Sequence, residues 1–176
     1  IYLQKNRVNE AIREYRAVLG LNPGDPKTYN NLGNAYMAID ERNAAASAYR
    51  QAIQLDPNFV DAYRNMALLL TRQERYSQAM AQLNLALAID GENAQIYNQL
   101  GELYYRQQEY EKGLTQFRKA ANLKPDSAEA HYGLGICHGG LKQTDAEIQS
   151  YIQALILKPT MLAALVDLGT AYFNQG

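Results

Sequence analysis

The sequence predicts an all-α chain built as a stack of antiparallel helix pairs, and three observations carry that prediction. Five segments share one shape, an apolar helical stretch closed by a breaker: YRAVLGLNP at 15–23, YRQAIQLDP at 49–57, LNLALAIDG at 83–91, FRKAANLKP at 117–125 and YIQALILKP at 151–159. Their closing residues, Pro23, Pro57, Gly91, Pro125 and Pro159, stand 34 residues apart at every step. Between the stops, apolar side chains recur three and four residues apart, as in Tyr29, Leu32, Gly33 and Tyr36 and then Ala45, Tyr49 and Ala52, which marks one face of a helix in each half of the unit.

Each element follows in order. Residues 1–25 read as the end of a partial repeat closed at Pro23. The first complete pair occupies 26–59, where Asp25 ahead of Pro26 offers a side-chain acceptor to the free amides of a helix start. Pro57 ends it, because proline lacks an amide donor and disfavours helix in the residue before it. The second pair spans 60–93 with Asn58 as its expected start, the third 94–127, and the fourth 128–161 with Ser127 as its start. Thr160 is expected to open a lone first helix over 162–176. Helices of about 12 to 15 residues are marginal alone, and one pair cannot bury its apolar face, so stability must come from stacking neighbouring pairs. The chain begins and ends inside a unit. It therefore reads as a fragment of a longer array, with Leu162, Leu165, Leu168 and Tyr172 expecting a partner.

Composition narrows the functional classes. With 176 residues, 47% of them hydrophobic, there is enough apolar material for a continuous core. Lys+Arg 17 against Asp+Glu 18 leaves a net charge of −1, so no overall field draws in nucleic acid or an anionic membrane, and neither is expected as a partner. The single cysteine, Cys137, excludes an intrachain disulfide and a cysteine-only metal site. No apolar run approaches the roughly 20 residues of a membrane helix, and no targeting segment is evident. The compartment stays open, the cytoplasm being slightly favoured.

Comparing the units slot by slot sharpens the reading. The first-helix aromatic slot holds Tyr29, Tyr63, Tyr97, His131 and Leu165, followed three residues on by Leu32, Met66, Leu100, Leu134 and Leu168. Next come Gly33, Ala67, Gly101, Gly135 and Gly169, then Tyr36, Leu70, Tyr104, His138 and Tyr172. In the second helix the small slot reads Ala11, Ala45, Ala79, Gly113 and Glu147, with Tyr15, Tyr49, Leu83, Phe117 and Tyr151 one turn later. Glu147 breaks the pattern. It is expected to loosen the fourth unit locally or to rotate its second helix toward Ala146.

The 34-residue period and these slots resemble the tetratricopeptide repeat family over the whole chain. The resemblance implies an α-solenoid, a right-handed superhelix of antiparallel helix pairs whose first helices line a concave groove that holds a partner segment. The groove faces would carry Lys27, Asn30, Asn31, Asn34, Met37 and Ala38 in the first complete unit and Asp61, Arg64, Asn65, Leu68, Thr71 and Arg72 in the second. The third offers Gln95, Asn98, Gln99, Glu102, Tyr105 and Arg106. In the fourth, Glu129, Tyr132, Gly133, Ile136, Gly139 and Gly140 would leave a low wall and a hollow beside Tyr105 and Tyr132.

Within that set, Asn31, Asn65 and Gln99 share one slot, and side-chain amides there can donate to and accept from an extended backbone without reading its sequence. This resembles the asparagine ladder of O-linked N-acetylglucosamine transferase arrays, and it fails at Gly133 and Asp167. Arg72 and Arg106, with Tyr105, could hold an acidic or aromatic side chain. The carboxylate grip of chaperone-binding relatives is kept only in part: Asn34 and Asn65 match it, but Asn30, Gln95 and Gln99 stand where its cations belong. His131 and His138 lie about 10 Å apart along a helix at 1.5 Å per residue, too far to share one metal ion, and read as packed substitutes for tyrosine, with Cys137 a small buried residue. No phosphate loop, HExxH pair or GxSxG elbow is present, and no cofactor is expected.

The expectation is therefore a non-catalytic protein-interaction scaffold that binds a peptide or helical segment through Asn31, Asn34, Asn65, Leu68, Arg72, Gln99, Glu102, Tyr105, Arg106 and Tyr132. The alternatives are a substrate-recruiting arm of a larger glycosyltransferase-like enzyme and a self-assembling scaffold joined through incomplete terminal repeats.

Overall fold

A computed structural model describes residues 2–175, with side chains from residue 7 onward. Among these residues there are ten α-helices and no strands. They are α1 (Tyr2–Leu21), α2 (Pro26–Ala38), α3 (Arg42–Leu55), α4 (Val60–Arg72), α5 (Tyr76–Ile89), α6 (Ala94–Arg106), α7 (Tyr110–Leu123), α8 (Ala128–Gly140), α9 (Thr144–Leu157) and α10 (Leu162–Gln175). The period of the sequence is the period of the backbone: α2, α4, α6, α8 and α10 each begin 34 residues after the last, and so do α3, α5, α7 and α9. Every second helix stops two residues before its proline or glycine breaker.

Two of the expected helix starts are correct and two fall one residue early. Asp25 accepts from the amides of Lys27 and Thr28, and Ser127 accepts from that of Ala130 at 3.2 Å. At α4 the cap position belongs to Phe59, which has no polar atom to offer, and the amide of Asn58 instead donates to Asp56 at 3.0 Å. The same step puts Met161, rather than Thr160, immediately before α10. The start of α6 is made by Asn93, whose side chain accepts from Gln95 and Ile96. It stands one period, 34 residues, before Ser127.

The turn from first to second helix is built identically in four units. Asp40, Glu74, Gln108 and Lys142 have φ of 64°, 59°, 61° and 58°, the left-handed region usually given to glycine. The amide after each reaches back to a carbonyl of the last helical turn, Glu41 to Tyr36, Arg75 to Leu70, Glu109 to Tyr104 and Gln143 to His138, all at 2.9 Å. This is the six-to-one closure of a helix end. Holding a side chain there costs roughly 1–2 kcal/mol per residue.

The helices divide into two compact units, residues 1–91 and 92–176. In the first, the ring of Tyr49 on α3 lies over Gly33 on α2, where an added Cβ would be 2.4 Å from Tyr49 Cε1. In the next repeat the same two slots hold a larger small residue and a smaller large one, Ala67 and Leu83, both almost wholly buried. In the second unit Phe117 on α7 sits between Gly101 on α6 and Gly133 on α8, and Tyr151 on α9 covers Gly135. Ring against glycine brings helix axes close and fills the space a side chain would leave empty, which is how close packing is reached with so few core residues per helix.

The second helix of the fourth repeat keeps its phase. Tyr151 and Ala154 are buried like Phe117 and Ala120 one repeat before, so the expected rotation toward Ala146 does not occur. Glu147 fits because Gly139 opposite has no side chain: a Cβ there would stand 2.6 Å from Glu147 Oε1.

Candidate interaction face

The first helices present the expected residues in three different situations. Asn31, Asn34, Leu68, Arg72 and Arg106 are exposed, while Asn65, Gln99, Glu102, Tyr105 and Tyr132 are half-buried. Asn30 and Gly133, both expected on the groove face, are buried. Asn30 turns toward the next first helix, and its Oδ1 accepts from Asn65 Nδ2 at 2.8 Å. Gly133 lies beneath the ring of Phe117. One Asn65 amide hydrogen is thus spent on the link to the preceding repeat, and the gap in the amide series at Gly133 has a packing cause.

One register links neighbouring first helices within each unit. Asn65 to Asn30 joins residues 35 apart in the first unit, and Tyr132 Oη donates to Asp167 Oδ2 at 2.8 Å, also 35 apart, in the second. The same step from Asn98 arrives at Gly133, which has no side chain to answer it. Asn98 Oδ1 is left buried without a partner, while its Nδ2 makes only a long 3.5 Å bond to Ser127 Oγ. Gln99 Oε1 is likewise buried and unpartnered.

The remaining polar side chains are partly committed. Tyr49 Oη donates to Asn34 Oδ1 at 2.8 Å, and burial holds that phenol up to about 12 against an ordinary 10.0. Arg106 pairs with Glu102 at 2.8 Å across one helical turn, an exposed pair worth a few tenths of a kcal/mol. Tyr105 packs against Tyr110 with ring centroids 5.9 Å apart, and burial raises its phenol pKa. Arg72 is exposed and close enough to Asp40 to lower that carboxyl, after the larger effect of Arg42.

The two histidines have structural partners of their own. His131 Nε2 lies 3.1 Å from the Pro125 carbonyl, as Tyr63 Oη does from that of Pro57 at 3.2 Å, so histidine performs tyrosine's task in that slot. His138 Nδ1 meets Gln143 Oε1 at 2.7 Å. Cys137 is fully buried against Gly113, and burial pushes its thiol up to about 12. Among the described residues no group of three metal-ligating side chains forms, and no helix is long and apolar enough to cross a membrane.

Several hollows flank these helices, and one of about 440 Å³ in the first unit brings the expected Asn31 and Asn34 together with Ala11 and Tyr15. In the first unit, on the second-helix side, a groove of about 630 Å³ runs between α3 and α5 over α4, with Met66 and Leu70 in its floor and Arg50 and Arg75 at its rim. Nothing in the slot pattern of the first helices pointed to it, because its α3 and α5 walls mix polar and apolar side chains. In the second unit a hollow of about 210 Å³ lies between α6, α8, α9 and α10, lined by Tyr105 and Gly139 but not by Tyr132, which was expected beside it.

A TPR repeat model matches residues 1–40, 68–108 and 101–142, and tetratricopeptide repeat models match 26–59 and 48–81. No curated protein sequence matches the chain. Among solved structures, MamA is 26% identical, with a TM-score of 0.74 over 89% of this chain and 91% of that one. A thermophilic TPR protein of Thermus thermophilus is 22% identical, with a TM-score of 0.80 over 96% and 92%. YrrB, described as a TPR protein with an unusual peptide-binding site, is 21% identical, with a TM-score of 0.70 over 92% and 83%. The fold is an all-α helical-repeat solenoid.

Proposed function

The chain belongs to the tetratricopeptide repeat family, and from that premise we propose that it is a non-catalytic scaffold holding a segment of a partner protein against the exposed faces of its first helices. The observation that carries the reading is the division of labour within those helices. In α2, α4, α6 and α8 the glycine, leucine and aromatic slots are largely taken up by packing, whereas Asn31, Leu68, Arg72 and Arg106 lie outside them and stay exposed without supporting the core. Side chains of mixed amide, apolar and guanidinium character suit an extended or helical segment that supplies backbone polar groups and a few anchors.

The reading also selects which residues to change. Asn65 supports the Asn30 link and Tyr132 the Asp167 link, so altering either perturbs the fold. The test captures binding proteins from source extract on the immobilised chain beside an Asn31→Ala, Leu68→Ala, Arg72→Ala, Arg106→Ala variant whose helicity and melting are unchanged. A partner held by the parent and lost from the variant supports the first-helix face. Equal capture by both removes it.

A further inference from the structure

The hollow of the second unit carries chemistry that the scaffold reading alone does not use. Two carboxylates line it, Glu147 from α9 and Asp167 from α10, and among the described residues no lysine, arginine or histidine does. Nearby cations are engaged elsewhere: Arg106 is paired with Glu102, Lys158 with Glu129, and the Nδ1 of His138 with Gln143. Asp167 receives one hydrogen bond, from Tyr132 to Oδ2, which leaves its other oxygen without one among the described residues. Glu147 stands in a slot that holds alanine or glycine in the other repeats, and Gly139 opposite leaves the room it occupies. Burial raises the carboxyl pKa of Glu147 and Asp167 raises it further, against the opposing pull of the Tyr151 hydroxyl and His138. Two like charges in a partly dry hollow repel, and a cation between them relieves that cost. The walls are aromatic: Tyr105 on one side and Tyr151 on the other, with Ile136 between them in the chain order of the helices. At about 210 Å³ the space is smaller than the 300–1,000 Å³ of typical small-molecule pockets, the scale of one long side chain's end.

We propose that this hollow seats the cationic end of one lysine or arginine side chain of the partner segment, with Glu147 and Asp167 as counter-charges and the rings of Tyr105 and Tyr151 along its apolar stem. The inference rests on the scaffold reading and gives it a side-chain specificity. It reverses the expectation of an acidic ligand for this part of the chain, because the guanidinium of Arg106 is already neutralised by Glu102. Lysine and arginine suit the site because each joins an apolar stem to a charge, and a tyrosine face attracts that charge.

The test is a backbone-amide NMR titration of the whole chain with N-acetyl-lysine amide, N-acetyl-arginine amide and, as the uncharged control, N-acetyl-norleucine amide at matched ionic strength. Saturating shifts at Gly139, Gly140 and Thr170 with the two cations, absent with norleucine, are expected. A Glu147→Gln, Asp167→Asn variant, which keeps an acceptor for Tyr132, should bind at least tenfold more weakly with its melting temperature preserved. Equal shifts from norleucine, or unchanged affinity in the variant, overturn the proposal. If a captured partner binds through the exposed first-helix residues yet ignores the Glu147 and Asp167 changes, the inference fails and the scaffold stands. If lysine amide titrates the hollow while the parent and the exposed-face variant capture the same partner equally, the first-helix face fails and the cation site stands.

Discussion

The two compact units share one backbone template and differ in what they place on the inter-helix register. In residues 1–91 the link is neutral, Asn65 to Asn30, and the exposed face around it is amide, leucine and arginine. In residues 92–176 it is a phenol bound to a carboxylate, Tyr132 to Asp167, beside a second half-buried carboxylate and two more tyrosines. The backbone is set by a few small-against-large contacts, and the remaining slots are then free to diverge in charge without moving a helix. The unit with the more unusual residues is the one with a chemically distinctive hollow.

Alkaline titration should separate the units most. Tyr49 keeps its proton up to about 12, above the ordinary 10.0, because burial disfavours the phenolate. The folded state therefore holds that proton more tightly than the unfolded state, so the contribution is intact below pH about 10 and lost between about 10 and 12. Tyr132 and Tyr151 are raised further, by burial first and then by Asp167, so the second unit should lose more, over a range extending higher. Circular dichroism against pH should show the transition moved further by Tyr151→Phe than by Tyr49→Phe; identical shifts would break the comparison.

Next in size are the glycines beneath rings. Gly33→Ala and Gly135→Ala each force a methyl into a tyrosine ring and should cost about 1–3 kcal/mol despite alanine's better helix propensity. Similar falls in urea midpoint for both would show that the template is common. A neutral result at either would mean the ring moves aside.

The register links come third. Asn30→Ala strands a half-buried donor on Asn65, and Tyr132→Phe removes a bond to a charged acceptor, so losses of about 1 and about 1.5 kcal/mol are expected by chemical denaturation. An Asn30 loss exceeding that of Tyr132 would reverse the ranking of the two units. The smallest effect should be a gain: Glu74→Gly or Lys142→Gly relieves a left-handed residue and should stabilise by about 0.5–1 kcal/mol in either unit.

Much of this was legible in the sequence. The 34-residue period placed every helix pair, since breakers and apolar slots recur without insertion. Legibility ended where adjacent residues had the same chemistry. Asn30 and Asn31 are neighbours of one type, about 100° apart on the helix, and the pattern alone could not decide which turns inward. Asn58 looked like a cap because a polar residue stood beside the true cap position, which Phe59 fills. The hollow near Tyr105 could be anticipated from the missing side chains of Gly139 and Gly140, but its charge could not. That required knowing that Glu147, a break in a small-residue slot, and Asp167, a break in an amide slot, lie on the same cavity.

One buried atom gives the molecule a clock. Cys137 is the single cysteine of the chain, lies with its sulfur against Gly113, and has its thiolate disfavoured by burial. A thiol reagent at neutral pH can therefore reach it only while α8 separates from α7, and its labelling half-life reads how often that seam opens. The wild-type chain reports its own breathing rate, without an added probe.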